Sequence, residues 1–272
     1  MPFLTEEPEP PRGVAQQVAA GIRRVAAGNA GAMTYHGTNT YLIEAKGGTI
    51  VLDPGPDDPA HVAAVLAAAG RVARILLTHT HIDHVGGLPA LRAATGAPVH
   101  AWHVPAAPEV VPDVALRDGD TVDGWRAVFT PGHAADHLCF AGPNGALFSG
   151  DHVMSWSSSV VSPPGGDMAA YFASLRRLLE RDDAMYLPGH GPPLPEPRAF
   201  VRDLLAHREA RETALLAALG PAPQGTRALT DTLYSQVDER LRRAAERNVL
   251  AHLLKLRAEG RAQDGPDGWI AA

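Results

Sequence analysis

The chain has 272 residues, 45% hydrophobic and 20% charged, enough for one large globular domain, or one domain with a small appendage, stable without covalent staples. Cys139 is its single cysteine, which excludes an intrachain disulfide framework and Cys-rich zinc modules. A net charge of −6 excludes a polyanion binder acting through overall charge; no run of about 18 apolar residues marks a membrane span, and the acidic, Pro-rich start (Glu6 to Pro11) is unlike a secretory signal, so a cytoplasmic protein is expected.

From about Gly21 to Asp53 short β-rich runs alternate with turns, and Gly47-Gly48 between Thr40–Ile43 and Thr49–Leu52 reads as a hairpin. Ala60–Ala69 is free of breakers and ends at Gly70, the pattern of a helix with a glycine cap. A buried strand follows at Arg74–Thr78, a helix at Leu88–Thr95, and strands at Val99–Trp102, Ala127–Phe129 and Ala146–Phe148. Strands interleaved with helices predict an α/β layered domain over residues 1–197. The character changes near Pro188, and Pro192–Pro197 reads as a Pro-rich connector. Helices are predicted at Arg198–Leu219, Thr226–Val237 and Glu239–Arg257, then strand, turn and strand to Ala271. Three helices and a β-hairpin suggest a winged-helix module over 198–272.

The 13 histidines direct the search for chemistry, because several fall in tight clusters. In Thr78-His79-Thr80-His81-Ile82-Asp83-His84, residues two apart in an extended chain point the same way, so His79 and His81 can grip one ion. Asp83 and His84 then face a second ion as the chain turns into the next helix. Three further segments repeat strand, glycine turn, ligand: Thr130-Pro131-Gly132-His133, Phe148-Ser149-Gly150-Asp151 and Leu187-Pro188-Gly189-His190. Together they supply seven nitrogen or oxygen ligands and no sulfur, enough for two divalent ions. Such a set favours zinc, manganese or iron over thiolate-loving metals without choosing among them, and zinc is the ion expected.

The His-x-His-x-Asp-His signature, followed in order by His133, Asp151 and His190, resembles the metallo-β-lactamase superfamily over roughly residues 20–195. The resemblance implies a four-layered αβ/βα sandwich with its site at the sheet edges. By the same resemblance His79, His81 and His133 hold one metal and Asp83, His84 and His190 the other, with Asp151 bridging. Asp53 matches the superfamily's early strand-end aspartate, which supports ligands from behind. The chemistry implied is attack by a metal-bound hydroxide on a carbonyl or phosphorus, with Asp83 orienting the nucleophile or shuttling its proton.

Asp151 resembles the bridging aspartate of glyoxalase II-like thioesterases and of nucleases, and argues against β-lactam hydrolysis. The following run, His152 to Ser159, departs from the Gly-Cys-Gly-Arg typical of glyoxalase II. The whole chain is most similar to the β-lactamase-like protein 2 group, through Gly37–Ile43, Pro188–Pro192 and the His207-Arg208-Glu209 helix. That group includes an endoribonuclease on single-stranded RNA, which makes RNA the first expected substrate and a small ester or thioester the second. Residues 198–272 are net +2 against −8 for the rest, and Arg240, Arg243 and Arg247 share a helical spacing that fits a phosphate-contacting stripe. A nucleic-acid-binding regulator on a hydrolase fold is the reading from a different class. Trp156 is a candidate stacking group, His36, His137 and His152 read as ordinary hydrogen-bonded histidines, and Cys139 as a small core residue.

Overall fold

The computed structural model describes residues 3–272. The first half builds a seven-stranded sheet in chain order. It begins with β1 (Gln16–Ala19), β2 (Ile22–Ala26), β3 (Asn39–Ala45) and β4 (Gly48–Leu52), all antiparallel. The helix α1 (Pro59–Ala69) then crosses over to β5 (Val72–Leu76), and α2 (Ile82–Val85) and α3 (Leu88–Thr95) cross to β6 (Val99–Trp102) and β7 (Val114–Leu116), all parallel from β4 onward. Gly70 closes α1, as its sequence predicts, and the Asp58 carboxylate caps its start at the Ala60 amide.

The second sheet is built from β8 (Thr121–Val122), β9 (Trp125–Phe129), β10 (Leu138–Ala141) and β11 (Ala146–Gly150), then, after helix α4 (Met168–Leu179), from β12 (Met185–Pro188) and β13 (Leu194–Pro195). Period-two alternation sorts the core. Tyr41, Ile43, Ile50, Leu52, Leu138, Phe140 and Phe148 point into the space between the sheets. Their neighbours Leu42, Val51 and Ile75 pack under α1 and α3, while Cys139, Leu147 and Tyr186 pack under α4. This is the expected αβ/βα sandwich. Two expectations change in detail: α4 went unread in the sequence, and the Pro-rich run contains β13, an edge strand on β12 where proline is tolerated.

The tail consists of α5 (Pro197–Ala218), α6 (Thr226–Leu233), α7 (Glu239–Ala258) and the hairpin β14 (Ala262–Gly265) and β15 (Gly268–Ala271). Its own core gathers Leu215, Leu229, Val249, Leu253, Leu256 and Trp269. The first half of α5 packs its Phe200, Val201, Leu204 and Leu205 with α4 in the core of the second sheet, so one helix belongs to both cores.

Candidate metal centre

Five strand ends converge at one edge of the sandwich. Asp53 follows β4, the His79–His84 run follows β5, His133 follows β9, Asp151 follows β11 and His190 follows β12. Backbone bonds tie the two sheets together there: Leu138 donates to the Thr78 carbonyl at 2.7 Å and Asn39 to that of Gly189 at 2.8 Å. The seven sequence-predicted donors are thereby brought into one cluster. His79, His81 and His133 form one group, Asp83, His84 and His190 another, and His79, His84 and Asp151 a third that joins them; within each, the donor atoms lie within 4.8 Å of one another. Asp151 reaches both sides, with one oxygen 3.4 Å from His84 Nε2 and the other 3.4 Å from His190 Nε2 and 3.7 Å from His133 Nε2.

Glycine makes room for the approach. A Cβ on Gly189 would stand 2.4 Å from an Asp151 oxygen and 2.7 Å from His84 Cε1, and one on Gly132 would fall 2.3 Å from the Tyr171 backbone. The strand–Gly–ligand pattern therefore reflects close packing as well as turning.

What lies behind each imidazole decides which nitrogen faces inward. His133 Nδ1 donates to the Val160 carbonyl at 2.7 Å, and His190 Nδ1 faces that of Gly37 at 3.3 Å. His84 Nδ1 donates to Asp53 at 3.0 Å, and His79 Nδ1 lies 2.9 Å from the Thr78 hydroxyl, which itself donates to Asp53 at 2.7 Å. These four rings turn Nε2 inward, while His81 turns Nδ1, 2.9 Å from His133 Nε2 and 3.1 Å from His79 Nε2. Asp53 thus serves two ligand-type residues from behind. It is fully buried, also accepts the Thr78 amide at 2.8 Å, and adopts a φ of 53°, a costly backbone region that its contacts sustain.

The electrostatics point the same way. Burial, with neighbouring imidazoles, pushes His79 well below its usual range and His133 to about 4, so both are neutral with a lone pair free. Burial works against charge at His84 and His190 as well, but Asp151 overcomes it and holds His84 well above its usual range and His190 at about 9. Burial opposes ionisation of Asp83 and Asp151 too, yet the adjacent His84 and His190 hold both carboxyls well below the usual range. A buried carboxylate and a partly open one drawing protons onto two imidazoles whose Nε2 atoms are 3.3 Å apart is a site short of positive charge. A donor set of five imidazoles and two carboxylates fits divalent cations.

The remaining candidates separate. His36 Nε2 bonds the Glu7 carbonyl at 2.8 Å, and His137 Nδ1 the Thr130 hydroxyl at 2.9 Å. His152 departs from the expectation of a hydrogen-bonded histidine, since neither of its buried ring nitrogens has a partner among the described residues. Cys139 is a core thiol, pushed up to about 12 by burial. Trp156 stacks on Tyr35 at 5.0 Å and borders a cleft of about 200 Å³ between the two modules, lined also by Met33, Met154, Tyr234, Leu241 and Ala245. Arg240 is spent on Asp238 at 2.8 Å and Arg247 on the Ser162 hydroxyl at 2.9 Å, so the supposed arginine stripe is in good part internally bonded. Sequence reasoning missed the Val160 and Gly37 carbonyls and Thr78, since a backbone acceptor leaves no residue-type signature.

A family profile described as the metallo-beta-lactamase superfamily matches residues 33–106 and 102–190, and one described as the beta-lactamase associated winged helix domain matches 226–269. The beta-lactamase-like protein 2 homolog of Drosophila melanogaster is 32% identical over 90% of this chain and 90% of its own length. The lactamase-like protein adaB of Aspergillus niger is 37% identical over 75% of this chain, which spans only 65% of that relative's length. The atrochrysone carboxyl ACP thioesterase of Aspergillus fumigatus is 33% identical over 73% of this chain and 64% of its own. Among solved structures, a metallo-beta-lactamase family protein from Thermus thermophilus superposes with a TM-score of 0.80 at 25% identity, covering 94% of this chain and 100% of that one. A protein in a di-iron-bound form superposes with a TM-score of 0.55 at 31% identity, covering 63% of this chain and 94% of that one.

Proposed function

The chain belongs to the metallo-β-lactamase superfamily, and from that premise we propose that it is a dinuclear metal-dependent hydrolase whose substrate is an ester or thioester with an apolar acyl group. The observation that carries the hydrolase reading is the convergence of five inward-turned imidazoles with Asp83 and Asp151. In this reading His79, His81 and His133 would hold one ion and Asp83, His84 and His190 the other, with Asp151 available to both. Two divalent ions bound there would supply the acidity that makes water a nucleophile near neutral pH and would polarise the substrate oxygen. Asp83 is the catalytic carboxylate: its side chain is 27% exposed, the most open of the cluster's carboxylates, and stands 3.2 Å from His190 Nε2, so a second oxygen is free to orient the nucleophile and carry its proton.

Two observations favour the acyl substrate. A relative carries the name of an ACP thioesterase, and the inter-module cleft is lined largely by apolar and aromatic groups. At about 200 Å³ it is smaller than the roughly 300–1,000 Å³ of whole-ligand pockets, which suits one part of a substrate. Single-stranded RNA remains the second reading, on the net-positive tail, and it has Arg243 as the stripe's remaining candidate contact.

The test is turnover of acetyl and octanoyl thioesters beside single-stranded RNA on one zinc-loaded preparation. Thioester hydrolysis, faster for octanoyl and lost in His81→Ala, is expected. RNA cleavage with inert thioesters, weakened by Arg243→Glu and by salt, would overturn the acyl reading in favour of RNA.

A further inference from the structure

The segment following Asp151 and His152 runs along the seam between the sandwich and the tail. Val160 sits in its middle, and the Val160 carbonyl is the acceptor for His133 Nδ1 at 2.7 Å. Three tail residues grip the backbone and side chains flanking it. Asn248 Oδ1, on α7, accepts from the Val161 amide at 2.9 Å and from Arg208 Nη1, on α5, at 3.2 Å. Arg208 Nη2 donates to the Ser159 carbonyl. Arg247, one residue before Asn248, donates from Nε to the Ser162 hydroxyl at 2.9 Å. Residues 159, 161 and 162 are thus each held from the tail, and the residue enclosed by them orients a ring in the metal cluster.

The grip is built to be stiff. Arg208 is 2% exposed and Asn248 8%, with little of either open to water where they border the inter-module cleft. Arg208 is further fixed by the Tyr171 ring, 5.4 Å from its guanidinium carbon, and Tyr171 itself donates to the His152 carbonyl at 2.8 Å. A permanently charged guanidinium bonded to neutral acceptors is costly to bury for packing alone. Its Nη1 and Nη2 go to two acceptors that fix the course of one short segment, while Nε has no hydrogen-bond partner among the described residues.

We infer that Arg208 and Asn248 are positioning residues for His133, so that the winged-helix module completes the metal centre by holding the Val160 carbonyl in place. This inference rests on the dinuclear reading above. Partners behind a ligand histidine typically carry about 10–100-fold in metal affinity. The loss expected from breaking the grip is of that size, confined to the ion held by His79, His81 and His133.

The experiment measures zinc affinity and stoichiometry by chelator competition on the full chain, with the absorption spectrum of the cobalt-loaded protein as a second readout. Asn248→Leu keeps the volume and removes the acceptor; it should weaken one ion about 10–100-fold, leave the other, and alter the cobalt spectrum. Asn248→Asp keeps the acceptor for both donors and should restore parent affinity. If Asn248→Leu does not fold, Arg208→Lys replaces it, with a smaller loss confined to the same ion. Folded Asn248→Leu, or in its place Arg208→Lys, holding both ions as tightly as the parent with the parent spectrum overturns the inference. A parent chain that binds no pair of ions overturns the dinuclear reading instead, and the two failures are read from different samples.

Discussion

Gly189 illustrates how narrow the tolerances are at single positions. Its backbone is one that alanine can adopt, so a substitution there tests space alone. The added methyl would meet Asp151 and His84 at 2.4 and 2.7 Å, both in the donor cluster. Gly189→Ala should fold with a modest stability loss, on the order of 1–3 kcal/mol for overpacking, yet fail to load two zinc ions. Thermal unfolding beside elemental analysis of the loaded protein checks both halves; full loading would mean that Asp151 does not sit where the proposal needs it. Which residue types meet here was legible from spacing, because His-x-His-x-Asp-His and the three strand–Gly–ligand repeats are local. Which nitrogen each imidazole presents was not, since that depends on Thr78 next door and on Val160, Gly37 and Asp53, brought up from elsewhere in the chain.

Among the elements, α1, α3 and β6 fall within a residue of their predicted bounds because strong local stops, Gly70 and Gly96, close both helices. Helix α4 escaped notice although its Met168, Tyr171, Phe172 and Leu175 form one buried face, because it follows a long loop of serine, glycine and proline. Helices α5 and α7 are joined across the tail by Glu212, which Lys255 approaches at 2.8 Å and Arg261 at 2.9 Å. Burial pushes the Glu212 carboxyl up, but His252 and Lys255 outweigh it and bring it down to about 2. The folded chain therefore binds this proton less readily than the unfolded one, so the stabilisation is present above the ordinary glutamate range and lost as pH falls towards 2. Glu212→Gln should lower the Tm at about pH 6, and the gap from the parent should close in acid. An equal gap at both ends of that range would mean that packing, not charge, holds the joint.

For the molecule as a whole, a cation that binds only the folded state adds RT ln(1 + [L]/Kd) to stability, about 2.7 kcal/mol at a hundredfold excess over Kd. Stripping the chain with a chelator should lower its Tm and readdition of zinc should restore it; a Tm indifferent to both would count against the ion pair. Local signals determined a good deal of this protein. Periodicity and glycine punctuation specify the alternating strands and helices, and the density of His and Asp at strand ends marks the chemistry, because a ligand set needs particular side chains at particular spacings. Only the tertiary structure decided how two sheets share one edge, how Asp151 faces both donor groups, and how the tail reaches back to residues 159–162. Those are contacts between residues tens of positions apart, many made by backbone atoms that every residue carries, so no residue type announces them.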